Sequence, residues 1–207
     1  MNATLASSAA RRAAAALRRH AGRPAARVVA GSIVGQGLVV AASPAITRLY
    51  GPADLGALAV VTALSSVVGA VAPLGWDRAI VVPRGETAAR LLVASALVSV
   101  LVLSTVATVV AFLCREQLAD LTGTQVLADA WWVCPVTVAL VATQRVVTAW
   151  AARRRDYRGL ARRNVLQGVG QVVCNLSLAP LGGSLGLVLG VAAGRLAALG
   201  GAAAGRG

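Results

Sequence analysis

Apolar positions in this chain run in long unbroken blocks, not in the alternating or 3.6-residue patterns of half-buried strands and surface helices. Residues 28–47, 55–76 and 91–114 are stretches of 20, 22 and 24 residues without a charge. Residues 130–152 form a fourth block of 23 that only Arg145 interrupts, and residues 164–194 run for 31 without a charge. A helix needs roughly 20 apolar residues to cross a hydrocarbon core about 30 Å thick, so each of the first four blocks predicts one span. The fifth is too long for one helix and contains Ala179-Pro-Leu-Gly-Gly-Ser184, a cluster of helix breakers. It predicts two spans, the second carrying Arg195. The expected fold class is all-α, a polytopic transmembrane helical bundle with about six spans (28–47, 55–76, 91–114, 130–152, 164–179, 184–204) behind a basic tail at 1–27. A soluble protein with buried helices would need an amphipathic pattern, whereas segments such as 91–98 are apolar all round.

Composition agrees with this. Hydrophobic residues make up 57% of the chain and charged residues 13%, with mean hydropathy +0.75; a globular chain carries about 25% charged residues. The 20 basic residues, all arginine, outnumber 7 acids for a net charge of +13. Such a balance invites a nucleic-acid partner, so the positions of the arginines decide the question. Sixteen of them fall in the tail, in the second-to-third connection (Arg78, Arg84, Arg90), in the fourth-to-fifth connection (Arg153, Arg154, Arg155, Arg158, Arg162, Arg163) and at Arg206. The other side holds Arg48 and Arg115 with Asp54, Glu116, Asp120 and Asp129. By the positive-inside rule the arginine-rich side is cytoplasmic, which predicts a multi-pass protein of the cytoplasmic membrane with both termini inside. The arginines then face anionic lipid headgroups, and no nucleic-acid partner is expected. Trp76, Trp131, Trp132 and Trp150 suit interfacial anchoring. A competing reading of the N-terminus, a signal peptide cleaved near Ala41-Ala-Ser-Pro-Ala45, is weakened by that proline and by the Ile-Thr-Arg-Leu-Tyr that follows.

Candidate chemistry is sparse. Without lysine there is no Walker-A or Schiff-base lysine, and with His20 alone there is no histidine metal cluster. Cys114, Cys134 and Cys174 are odd in number and sit at or inside spans, where apolar packing is expected. No acid lies inside a span; Glu116 and Asp120, at helical spacing, fall in a short external loop. No catalytic residues, metal or cofactor are expected, so the chain does not read as an enzyme. What remains is polarity inside the membrane, which is costly and usually faces a cavity or a partner. Asn164, Gln167, Gln171 and Asn175 share one face of the fifth span, as a cavity wall or as interhelical hydrogen bonds. Gln144 and Arg145 lie eight residues before Arg153, about 12 Å of helix, so Arg145 either lines a cavity or snorkels to the surface. Ser32 and Gln36 pair at i, i+4 beside Gly31 and Gly35, and Gly182, Gly186, Gly190 and Gly194 form a ladder that lets a neighbouring helix approach.

Three stretches resemble a known family. Gly31-Ser-Ile-Val-Gly-Gln36 followed by Ala42-Ser-Pro-Ala-Ile-Thr-Arg-Leu-Tyr-Gly-Pro-Ala-Asp-Leu-Gly56 is similar to the first span and first external turn of bacterial polysaccharide (O-antigen-type) flippases, of the multidrug/oligosaccharidyl-lipid/polysaccharide exporter superfamily. Leu74-Gly-Trp-Asp-Arg-Ala-Ile-Val-Val-Pro83 resembles that family's second-to-third connection, and the basic stretch 150–167 its link between spans four and five. The resemblance implies a cell-envelope transporter that moves polyprenyl-diphosphate-linked oligosaccharide across the membrane by alternating access between two lobes, without ATP. It implies that this chain is one lobe, completed by a second copy or a separate chain, or else a truncated product. Gln36, Gln144, Arg145, Asn164, Gln167, Gln171 and Asn175 are then candidates for the substrate path. A non-transporting membrane scaffold, its arginine face recruiting enzymes, is the alternative.

Overall fold

The computed structural model describes residues 24–123, 126–181 and 183–203, and all its regular elements are helical. The expectations on the tail before Pro24, on His20, on Gly182 and on Arg206 lie outside the described residues.

Helix α1 (Pro24–Leu49) runs through Pro44 and the suggested cleavage stretch without interruption. The turn Tyr50-Gly51 reverses the chain, and Pro52 opens α2 (Pro52–Val71), with the Asp54 carboxylate accepting the Gly51 N–H at 3.1 Å. Proline suits that first helical position, where its missing N–H has no intrahelical partner. After α2 a tight turn places Leu74 (φ 51°) and Gly75 (φ 80°) in the left-handed region before the one-turn helix α3 (Trp76–Ala79). Helix α4 (Glu86–Leu113) is 28 residues long. The expected external loop is folded instead, as α5 (Arg115–Thr122) and α6 (Val126–Asp129), because Leu118, Ala119 and Leu127 have apolar surface to bury against Val61, Val133 and Val188. Helix α7 (Val133–Arg153) then returns to the arginine-rich end.

Only residues 154–156 separate α7 from α8 (Tyr157–Leu178), so α8 begins seven residues before the expected span. The cause is local: the Asp156 carboxylate caps the new helix by accepting the Gly159 N–H at 2.8 Å. Two turns expected as an arginine-rich link are therefore helix. A short 3₁₀ turn (Ala179–Leu181) leads to α9 (Ser184–Ala203). Among the described residues, five helices are long and apolar enough to cross a membrane: α1 from Ala26, α2, α4, α7 and α9 as far as Gly201. Helix α8 has the length but carries Arg158, Arg162 and Arg163 in its first turns, so its apolar part is 164–178.

Packing divides the bundle. Helix α8 lies against both α1 and α9, the most extensive contacts in the molecule, while α7 packs against α2 and α4. Helix α9 joins the two groups by touching α2 and α7. The arginine-rich connections meet at one end, where the Arg153 guanidinium donates to the carbonyls of Ile80 and Gly85 at 3.2 Å and to that of Pro83.

Candidate functional site

The α1–α8 contact is made by small residues. A Cβ added at Gly31 would lie 2.6 Å from the Ala161 Cα, one at Gly35 would overlap the Asn164 carbonyl, and one at Gly168 would overlap the Gly35 carbonyl. On the other side of α8, a Cβ at Gly194 would sit 2.7 Å from the Gln167 carbonyl, and one at Gly190 would overlap the Asn175 amide oxygen. Helix α8 is thus held between two glycine-bearing helices with backbones nearly in contact, as small-residue motifs permit in membranes.

That close approach sets polar side chains around a shared groove. A cavity of about 110 Å³ lies between α1 and α8, lined by Ser32, Gln36, Asn164, Gln167 and Gln171 with Gly35 and Gly168 at its base. Asn164 Nδ2 donates to Ser32 Oγ at 2.7 Å. Gln144 reaches in from α7, its Nε2 donating to Gln167 Oε1 at 3.4 Å and to the Arg195 carbonyl at 3.2 Å. Arg163 donates to the Gln144 carbonyl at 3.3 Å, to Asn164 Oδ1 at 3.4 Å and to Thr148 Oγ1. One hydrogen-bonded chain therefore crosses α1, α8, α7 and α9.

Five of the seven candidate residues meet here: Gln36, Asn164, Gln167 and Gln171 line the groove, and Gln144 is bonded to its wall. Asn175 does not line it; it is 1% exposed, packed against Gly190, and its backbone carbonyl accepts the Tyr50 hydroxyl at 2.8 Å. Nor does Arg145. Its Nε and a terminal nitrogen each lie 3.2 Å from Asp77 Oδ2, an ion pair that fastens α3 to α7. The cation of the groove network is Arg163, which the sequence assigned to a loop; the helix cap Asp156-x-x-Gly159 was the signal that places it on α8, four residues before Gln167. Buried Nε donors of Arg163 and Arg195 have no hydrogen-bond partner. Among the described residues no group of histidine, cysteine and acid side chains could hold a metal ion, and the three cysteines are free.

A family profile described as "polysaccharide biosynthesis protein" matches residues 45–197, which take in every α7 and α8 residue of the groove. The chain belongs to the polysaccharide biosynthesis protein family. No curated protein and no solved structure matches it. Family membership and the apolar helices together make it a multi-pass membrane protein of polysaccharide biosynthesis. The match begins at residue 45, after Ser32 and Gln36 of the α1 wall.

Proposed function

We infer that this polysaccharide biosynthesis protein transports and does not catalyse: it moves a polyprenyl-diphosphate-linked oligosaccharide across the cytoplasmic membrane, and the α1–α8 groove is part of the headgroup path. The observation that carries this reading is the groove itself, five polar side chains facing one cavity within a bundle whose outer surface is largely apolar. Polar groups at membrane depth are retained where a polar passenger or partner meets them. Amides both donate and accept, as sugar hydroxyls do, and the Arg163 guanidinium matches a phosphate at the end of the network. The arginine-rich end faces the cytoplasm, with both termini on that side, as the charge bias requires. Gln36 lines the groove and stays exposed, and a second lobe, from another copy or a separate chain, supplies the opposite wall; lipids cover the rest.

Proteoliposomes loaded with lipid-linked oligosaccharide test this. With a fluorophore on the glycan and an impermeant quencher outside, the protein speeds the appearance of quenchable signal. Gln36→Leu with Gln167→Leu slows it about tenfold at unchanged helix content, the equivalent of one or two lost hydrogen bonds. Wild-type protein that folds and inserts, alone or with a partner lobe, yet leaves the signal at the protein-free rate would refute the proposal. A scaffold would be indifferent to both substitutions.

A further inference from the structure

A second cleft lies between α4 and α7 at the arginine-rich end and shares no residue with the groove. Its volume is about 500 Å³. Arg90, Val93 and Leu97 lie on successive turns of one face of α4, and Thr143, Val147, Trp150 and Arg154 on a face running the other way along α7 and just past its end. The antiparallel pairing brings both arginines to the same mouth, with apolar walls leading about 10 Å inward along the helices. Buried Ala96, Ala142 and Val146 form the core beneath it.

The mouth is electropositive. Arg90 and Arg154 share one carboxylate, Glu86, whose Oε1 lies 3.1 and 2.7 Å from their guanidinium nitrogens. All three side chains stay at least half exposed. Arg154 also stacks on Trp150 at 4.9 Å, which holds it over the slot. An adjoining space of about 540 Å³, lined by the same Trp150 and Arg154, adds Arg153, Arg155 and Tyr157. Arg153 is bonded to backbone carbonyls, so its charge is not cancelled, and Asp156, which accepts the Gly159 N–H at the start of α8, lines neither space. Four guanidinium groups thus face one carboxylate above an apolar slot.

We propose that this cleft binds one anionic glycerophospholipid, its phosphate between Arg90 and Arg154 and the upper part of an acyl chain over Val93, Leu97 and Val147. Basic pockets between membrane helices hold anionic headgroups in this way. The apolar walls disfavour a soluble anion, and the surplus arginines disfavour a lipid whose headgroup carries its own cation. The site extends beyond the transport reading and does not depend on it.

The full chain in detergent, titrated with dioleoyl phosphatidylglycerol or dioleoyl phosphatidylcholine and followed by native mass spectrometry, tests the site. The first bound anionic lipid binds about tenfold more tightly than the zwitterionic one. Arg90→Gln with Arg154→Gln removes that preference; Leu97→Trp, which fills the slot and keeps every arginine, weakens anionic-lipid binding; Arg48→Gln with Arg115→Gln changes nothing. Equal binding of the two lipids by the wild type overturns the proposal. So does a preference that survives both cleft variants at intact helix content, or equal thermal stabilisation by inorganic phosphate alone.

Discussion

The two halves of the bundle solve the same packing problem differently. Around α8, glycines at 31, 35, 168, 190 and 194 bring backbones together, and amides and Arg163 fill the space alongside. Around α7, the partners α2 and α4 meet it mainly through valine, leucine and alanine side chains, with the charged pair Arg145–Asp77 and the more exposed Arg154–Glu86 at the arginine-rich end. Lipid offers no hydrophobic drive for helices to associate, so close van der Waals approach and polar contacts must hold them. The α1–α8–α9 group uses both devices at once, and it is there that a row of amide side chains reaches membrane depth. The α2–α4–α7 group carries its charges at the end, has the buried hydroxyls of Ser65 and Thr137 further in, and leaves Leu101, Val102, Val106 and Val109 of α4 exposed for lipid.

The sharpest way to break this contrast is the charged pair. Arg145→Ala leaves Asp77, only 10% exposed, without its counter-ion; thermal unfolding in detergent should show a loss of about 3 kcal/mol. Adding Asp77→Asn restores most of it, and the flipping rate per folded protein changes little if Arg145 is structural. Next come the glycines. Gly35→Ala pushes a methyl to 2.3 Å from a backbone carbonyl that cannot swing aside and costs about 1–3 kcal/mol, whereas Gly69→Ala approaches the Val141 Cγ1 and Cβ at 2.7 and 2.8 Å, a smaller overlap that a slight shift of α2 relieves, and costs less. Equal losses at the two sites would erase the distinction between the halves. A smaller effect on stability is expected at Gln167→Leu, about 0.6 kcal/mol, while transport falls. The opposite pattern, stability lost and transport kept, would make the network mere glue. The least disturbance belongs to Gly37→Ala, where the added methyl meets nothing within 4 Å, and the melting temperature should hold or rise slightly.

The candidate site was partly legible along the chain. Asn164, Gln167 and Gln171 announce a shared face because a helix repeats every 3.6 residues, and Ser32–Gln36 does the same for α1. Asn175 belongs to that face by spacing, yet it meets α9, since the face of a helix wedged between two neighbours is divided by whichever backbone comes nearer. Arg163 was missed for a local reason: an arginine run was expected to be a loop, and the cap at Asp156 makes it helix.

The sequence by itself determined the long apolar helices, the uneven distribution of arginine and the presence of amides within apolar stretches, because hydropathy, charge bias and helical period are properties of consecutive residues. Only the tertiary structure decided which cation joins the amides. Arg145 and Arg163 both stand near the arginine-rich end of long helices, but Arg145 finds Asp77, 68 positions away in the chain, and Arg163 finds Gln144 and Thr148 on α7. A guanidinium settles on the acceptors that folding brings within reach, and those partners belong to other helices.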